Sequence, residues 1–467
     1  MQQFSQSADQ FSQSASQYPR VSLAWYALFV FIIAATLAFV DKSIITLLVA
    51  PIRQALGVSD TGISLLQGLS FVLLYSVMGI PSGYLVDRMQ RRKLLAIGIA
   101  LWSVMTMLCG FANSFAELFM ARVGVGIGEA ILMPAVFSLL ADFFPSAQRG
   151  RANGIFTIST YAGGQGAFII GGLVLKTFHG GDFDWPLLGM LPPWKSAFIA
   201  VGLPGLLVAL LVMTIKEPAR QQIVNKTSGT DAAQLEKSLL SYLKERRKLW
   251  LTIFGTFSLC AFSAYAVLSW IPTFFARKYG LPPATAGVLI GSVIMPCGIL
   301  GCIASGVLSD WLKARGTYGS RMLIFVVSWF IAIPCVSALP FLGDYHMALV
   351  ACGLFGFANA LAVASMPSVL QDVTRNQMRG KITAVHLLLV SIFGMALGPT
   401  ATALVTDKIF QNDQGLIYAI SITPLPAMLL GLVLTIYGIR CYQNEMAALL
   451  KARPASVLDS TAAASAH

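Results

Sequence analysis

The chain has 467 residues, 56% of them hydrophobic and only 11% charged, with a formal net charge of +12 and a mean hydropathy of +0.74. Soluble domains carry about 25% charged residues, so a water-facing enzyme, a disordered chain and a nucleic-acid binder are excluded. A spanning helix needs about 20 apolar residues, and twelve would use about 240–300 positions. An all-α membrane protein of twelve transmembrane helices is therefore the expected fold class.

Residues 1–20 are polar and lack the apolar region of a signal peptide, and are expected to form a cytoplasmic tail. Apolar runs then place helices near 21–50, 62–86, 94–112, 115–142, 152–178 and 195–215. Six more fall near 249–276, 284–309, 321–341, 346–371, 380–406 and 415–441. Helices are expected because lipid cannot satisfy an open backbone. The domains follow as a half over 21–215, a linker over 216–248, a second half over 249–441 and a tail over 442–467, with an Ala/Ser-rich end expected to be disordered.

The loops alternate in charge. Twenty-four of the 32 lysines and arginines fall on one side, six on the other, and Lys42 and Arg122 lie within spans. The positive-inside rule then puts both termini in the cytoplasm of a cell whose inner membrane holds the chain. Within the linker, Leu235, Leu239, Leu240 and Leu243 recur at helical spacing beside Lys237, Lys244, Arg246, Arg247 and Lys248. An amphipathic helix on the membrane face and a solvated linker both fit that pattern.

The halves repeat each other. Asp142 precedes Arg149-Gly150-Arg151 as Asp372 precedes Arg379-Gly380-Lys381, and Gly83-x3-Asp87 is echoed by Gly306-x3-Asp310. Parallel six-helix halves are the layout of many secondary transporters, whose substrate sites lie near the midplane.

The first span carries Asp41-Lys42, and the fourth carries Arg122 and Glu129, two helical turns apart on one face. Charges at membrane depth are expensive and normally face a bundle interior or a wet cavity. A carboxylate balanced between burial and a nearby cation can take up and release a proton. A proton relay and a purely structural ion-pair network are the two readings. Glu117 is expected at the interface. Mid-span polar or aromatic residues, Tyr75, Tyr161, Tyr265, Trp270, Asn359 and His386, are the substrate-binding candidates. Their alternatives are an interfacial anchor for Trp270, a core histidine for His386 and interhelical glue for Asn359.

The loop Gly83-Tyr84-Leu85-Val86-Asp87-Arg88-Met89-Gln90-Arg91-Arg92-Lys93 resembles the signature of the major facilitator superfamily, with Gln90 where glycine is usual. The resemblance implies a cytoplasmic gate formed by Gly83, Asp87, Arg88, Arg92, Asp142 and Arg149, closed in the outward-facing state. A plain positive-inside anchor is the alternative. The runs around Asp41-Lys42, Gly57-Val58-Ser59-Asp60-Thr61, Gly79-Ile80-Pro81, Ala121-Arg122 through Glu129-Ala130 and Gly202-Leu203-Pro204-Gly205 look like bacterial spinster-like transporters. In that family the matching positions, here Asp41, Lys42, Arg122 and Glu129, serve proton coupling and gating. Lys42 stands where arginine is typical, and lysine can lose its proton when buried.

Gly154, Gly163, Gly171 and Gly172 resemble an antiporter glycine motif, although small residues also simply allow close packing. The seven cysteines have no metal spacing and read as small core hydrophobes. No phosphate-binding Gly-x4-Gly-Lys-Ser/Thr occurs, so ATP is not the energy source, and no cofactor, metal or enzymatic motif is expected. The expected function is a proton-coupled secondary active transporter for an amphipathic lysolipid or sphingoid-type substrate. A proton symporter for small organic anions is the alternative, with a non-transporting sensor and a lipid scramblase behind it. The expected partners are the bilayer, protons and a small-molecule or lipid substrate, with no nucleic acid and a monomeric state.

Overall fold

A computed structural model describes residues 18–178, 181–220, 239–315, 320–374 and 378–451. The expectations for the N-terminal tail before Tyr18, for Leu235 and Lys237 and for the tail after Lys451 lie outside the described residues.

Among the described residues, twelve helices are long and apolar enough to cross a membrane. In chain order they are α1 (Val21–Leu47), α2 (Asp60–Gly79), α3 (Arg91–Cys109), α4 (Phe115–Phe143), α5 (Gln148–Thr177) and α6 (Pro193–Thr214). The second set is α7 (Arg247–Tyr279), α8 (Pro283–Leu312), α9 (Arg321–Phe341), α10 (Tyr345–Val373), α11 (Arg379–Phe410) and α12 (Asp413–Ala447). The helix of α2 runs on to Arg88. Prolines interrupt several of these helices, among them Pro81, Pro204, Pro296, Pro334 and Pro367. Neighbouring helices can satisfy the carbonyls such prolines free.

Local chemistry sets the ends. Ser114 caps α4 by accepting from the Glu117 N–H, while the Glu117 carboxylate accepts from the Asn113 N–H. This pair of bonds, a variant of the capping box shifted by one residue, ties Glu117 to the loop backbone rather than to lipid. Between α1 and α2 a short helix, Val49–Leu56, stops at Gly57, whose φ of 65° is the left-handed conformation that terminates helices. Ser59 then caps α2 through the Gly62 N–H. Between α5 and α6, β1 (Phe183–Trp185) and β2 (Gly189–Leu191) pair antiparallel in a small hairpin.

The internal repeat is geometric as well as sequential. Arg91, the first residue of α3, pairs with Asp142 near the end of α4, and also donates to the Ser138 carbonyl. Arg321, the first residue of α9, pairs with Asp372 near the end of α10 and donates to the Ser368 carbonyl. Arg149 caps the Ala141 carbonyl, and Arg379 the Gln371 carbonyl. Each of these contacts recurs at an offset of 230 residues.

The linker is strapped to both halves. Glu217 accepts from the Arg91 backbone and guanidinium, and Arg220 donates to the Val86, Asp87 and Met89 carbonyls at the end of the α2 helix. Residues 239–245 are helical. Tyr242 is buried and donates to the Val373 carbonyl, Leu239 and Leu243 pack on the core, and Leu240 is exposed. The apolar face of this helix thus meets protein, which leaves little of it to lie on lipid.

Candidate functional site

The four charges of the first and fourth spans converge. Asp41 is 1% exposed, Arg122 0% and Glu129 4%. Arg122 on α4 donates from Nη1 to the Asp41 carbonyl at 3.0 Å, joining α4 to α1. Lys42 Nζ lies 3.4 Å from Glu129 Oε2, a second link between the same helices. The lysine also sits over aromatic faces, 4.1 Å from the Phe71 ring centre, 5.5 Å from Phe39 and 5.6 Å from Tyr75. Two carboxylates and two cations balance formally, which lowers the cost of burying them. Their hydrogen bonding is incomplete: Asp41 Oδ1, Glu129 Oε1, and Arg122 Nε and Nη2 are buried with no protein partner. Buried polar groups are almost always satisfied, so these four atoms call for water or a ligand at the α1–α4 contact.

The substrate-binding candidates divide. Tyr75 stacks on Phe71 beside Lys42. Tyr161 on α5 lies against Gly298 of α8, its hydroxyl buried with Asn359 of α10 next to it. Gln165, one turn on, leaves Oε1 buried without a protein partner. Tyr265 packs on Gly394 and Gly398 of α11, and His386 meets Phe257 edge to face at 5.2 Å. Trp270 is the correction. It is wholly buried and gives its indole N–H to the Pro399 carbonyl at 3.0 Å. It therefore fixes α7 to α11, with no surface for a ligand and none at a membrane interface.

At the cation-rich end, Asp87, Arg88 and Arg92 form no ion pair with the second half among the described residues. Asp87 is exposed, Arg88 is exposed and stacks on Tyr84 at 4.0 Å, and Gly83 has nothing within 4 Å of a built Cβ. Asp142 pairs with Arg91. Arg92 donates to the Met213 and Ile215 carbonyls at the end of α6, within its own half.

The cation-poor end is different, and sequence reasoning missed it. Asp60, fully buried at the start of α2, takes both Nη atoms of Arg277 at 2.6 and 2.7 Å and lies 3.3 Å from Arg53 Nε. Arg53 also reaches Asp413 at 3.0 Å, and Asp407 of α11 accepts from the Thr61 N–H and hydroxyl at 2.7 and 2.6 Å. All of these except the Arg53–Asp60 pair cross from the first half to the second. Behind them Gln67 Nε2 donates to the Ser269 carbonyl at 3.4 Å.

Glycines within the spanning helices record the same asymmetry. A Cβ on Gly68 would fall 2.1 Å from the Met395 carbonyl oxygen, and one on Gly172 2.6 Å from that of Ala284. Toward the cation-rich end Gly79, Gly83, Gly154, Gly306 and Gly380 meet nothing within 4 Å. The halves therefore touch tightly at one end and diverge at the other. Gly163 and Gly171 pack on Thr36 and Leu47 of α1, a packing role within one half. Both helices at the tight crossing change winding there, with π-helical segments at Leu65–Leu69 and Val390–Leu397. Gly68→Ala is expected to weaken that crossing by about 1–3 kcal/mol, the usual cost of overpacking. A membrane-impermeant thiol reagent should then label Ser269→Cys faster in the Gly68→Ala background. Equal rates would contradict the tight crossing.

A family model described as Major Facilitator Superfamily matches residues 30–399. The chain is 28% identical over 398 residues to an MFS-type efflux pump of Mycolicibacterium smegmatis, covering 84% of this chain and 86% of that one. It is 23% identical over 414 residues to a probable L-galactonate transporter of Escherichia coli, covering 86% and 87%. Among solved structures, a bacterial homologue of the human lysosomal transporter spinster, in an inward-facing and occupied conformation, superposes with a TM-score of 0.73. That match has 25% identity over 92% of this chain and 98% of the other.

Proposed function

The chain belongs to the major facilitator superfamily and is a multi-pass membrane transporter, and from that premise we propose that it couples substrate movement to protons by alternating access. The observation that carries the coupling is the Asp41, Lys42, Arg122 and Glu129 cluster, buried between α1 and α4 with four polar atoms lacking protein partners. Protonation of Glu129 would remove the charge that holds Lys42, and loss of that link would loosen one of the two contacts between α1 and α4. Asp41 and Arg122 keep the second contact. One proton crossing 100 mV supplies about 2.3 kcal/mol, enough for roughly fortyfold accumulation at about 1.4 kcal/mol per tenfold.

Taking the cation-rich end as cytoplasmic, the closed cation-poor end is the periplasmic gate and the divergent end opens inward. Gly83, Asp87, Arg88, Arg92, Asp142 and Arg149 then form the gate that closes when the outer one opens. The uncovered Gly83, Gly154, Gly306 and Gly380 are the surfaces on which it closes.

The substrate we assign is an amphipathic molecule of lysolipid or sphingoid type, its head near Lys42 and Tyr75 and its polar groups near Tyr161, Gln165 and Asn359. The spinster-like resemblance and the aromatic wall of Phe39, Phe71 and Tyr75 support it. A small organic anion is the second reading, favoured by the galactonate-transporter relative and by the two buried cations. Thermal stabilisation of the purified chain across panels of both classes discriminates: larger shifts with small carboxylates would displace the lipid assignment. Uptake into proteoliposomes under an imposed pH gradient tests the coupling itself, and flux indifferent to that gradient would defeat it.

A further inference from the structure

Where the linker rejoins the bundle, a cleft opens between the start of α7 and the end of α12. Lys244, Glu245, Arg246, Arg247, Lys248 and Leu249 line it on one side, and Cys441 and Glu445 on the other. Its charge is lopsided. Arg246 is held by Glu445 and stacks on Tyr242 at 5.1 Å, and Glu245 accepts from Ser241 at 3.3 Å. Lys244, Arg247 and Lys248 have no carboxylate partner among the described residues, and all three are exposed. The first turn of the α7 helix carries no acidic residue to neutralise them.

The walls are fixed. Tyr242, one turn before Arg246, is buried and bonded to the Val373 carbonyl, and Leu249 is buried at the foot of α7. The cations are thus presented by a docked segment rather than by a free loop. Their depth matters as much as their sign. The cleft sits at the first residues of one span and the last turns of another, where lipid headgroups meet the protein. Basic clusters at that level attract anionic lipid, and each cation adds about a factor of five in affinity.

We propose that this cleft is a binding site for the phosphate of an anionic phospholipid, with Lys244, Arg247 and Lys248 as its ligands and Arg246 as the positioning residue. It is separate from the α1–α4 cluster and independent of the transported substrate. An occupied site would tie linker, α7 and α12 together at the end of the bundle where the halves diverge.

The test titrates the purified full chain with phosphatidylglycerol, with phosphatidylcholine of the same acyl chains, and with inorganic phosphate, reading bound species by mass of the intact complex. Phosphatidylglycerol should bind and phosphatidylcholine should not. The variant K244Q/R247Q/K248Q should bind phosphatidylglycerol about 100-fold more weakly, the combined worth of three interfacial cations. A control, R20Q/K216Q/R315Q, removes the same charge from other exposed sites at the cation-rich end and should bind as wild type. Equal loss in both variants would reduce the effect to net charge and overturn the site. So would unaltered binding by K244Q/R247Q/K248Q, or displacement of the lipid by inorganic phosphate at equal concentration, which would make free phosphate the ligand.

Discussion

Glu129→Gln is expected to lower proton-driven flux by about 100-fold or more, the scale set by a positioned proton-transfer group, while substrate exchange without net proton movement continues. The substitution keeps the shape of the side chain and removes its charge. Lys42 then loses a partner 3.4 Å away but keeps the aromatic faces of Phe71, Phe39 and Tyr75. Its side chain is 21% exposed, so the freed cation is not stranded in a dry core. Collapse of the fold is therefore not the expected cause of lost flux. A purely structural ion pair behaves differently. It would lower the melting temperature and reduce exchange and gradient-driven uptake together. The deciding measurement is the ratio of the two fluxes in proteoliposomes: an unchanged ratio sinks the relay, a selective loss of gradient-driven uptake supports it. Lys42→Arg adds a second readout. It keeps a charge that cannot be released, so gradient-driven flux persisting in this variant assigns the mobile proton to a carboxylate.

Much of this fold was legible because its signals are local. Apolar runs of spanning length mark the twelve helices, and loop charge marks the two ends. Asp41, Lys42, Arg122 and Glu129 stand out because charge inside a span is rare. The bond cluster at the cation-poor end was not legible for the opposite reason. Arg53, Asp60, Arg277, Asp407 and Asp413 each sit beside the end of an apolar run, where charge is ordinary. Only the fold brings Asp60 to Arg277, 217 residues away. Arg91 is an intermediate case. Within Arg88, Arg91, Arg92 and Lys93 the helix start alone decides which cation turns toward α4. The repeat held that information, since Arg91 and Asp142 stand 51 residues apart, as do Arg321 and Asp372. Trp270 misled because an aromatic residue in a span reads as a substrate contact, or as an interfacial anchor, until its indole N–H is seen to reach Pro399.

Arg277→Ala is expected to shift the protein toward the state in which the cation-poor end is open. Asp60 has 0% exposure, and Arg277 meets it through two parallel hydrogen bonds. Removing one partner of a buried ion pair costs about 3–5 kcal/mol because the other charge stays unpaired. Arg53, 3.3 Å from the same carboxylate, remains and holds the effect to the lower figure. About 3 kcal/mol is still roughly 100-fold in an equilibrium constant. The loss falls on one conformation only, because the bond spans the two halves and must break whenever that end opens. The fold of each half keeps its own contacts, Arg91 with Asp142 and Arg321 with Asp372, so the melting transition should move little. Two pairs of distance labels read the outcome. Labels at exposed Gln54 and Gln411 report the cation-poor end, and labels at exposed Gln90 and Gln371 the other. In Arg277→Ala the first distance should lengthen as the second shortens, and Arg277→Lys should return part of the way because a point charge replaces the bidentate fork. Both distances staying at their wild-type values would mean that Asp60 and Arg277 brace the surface without gating it. Lengthening of the first alone would separate the two ends and contradict a rocking motion of rigid halves.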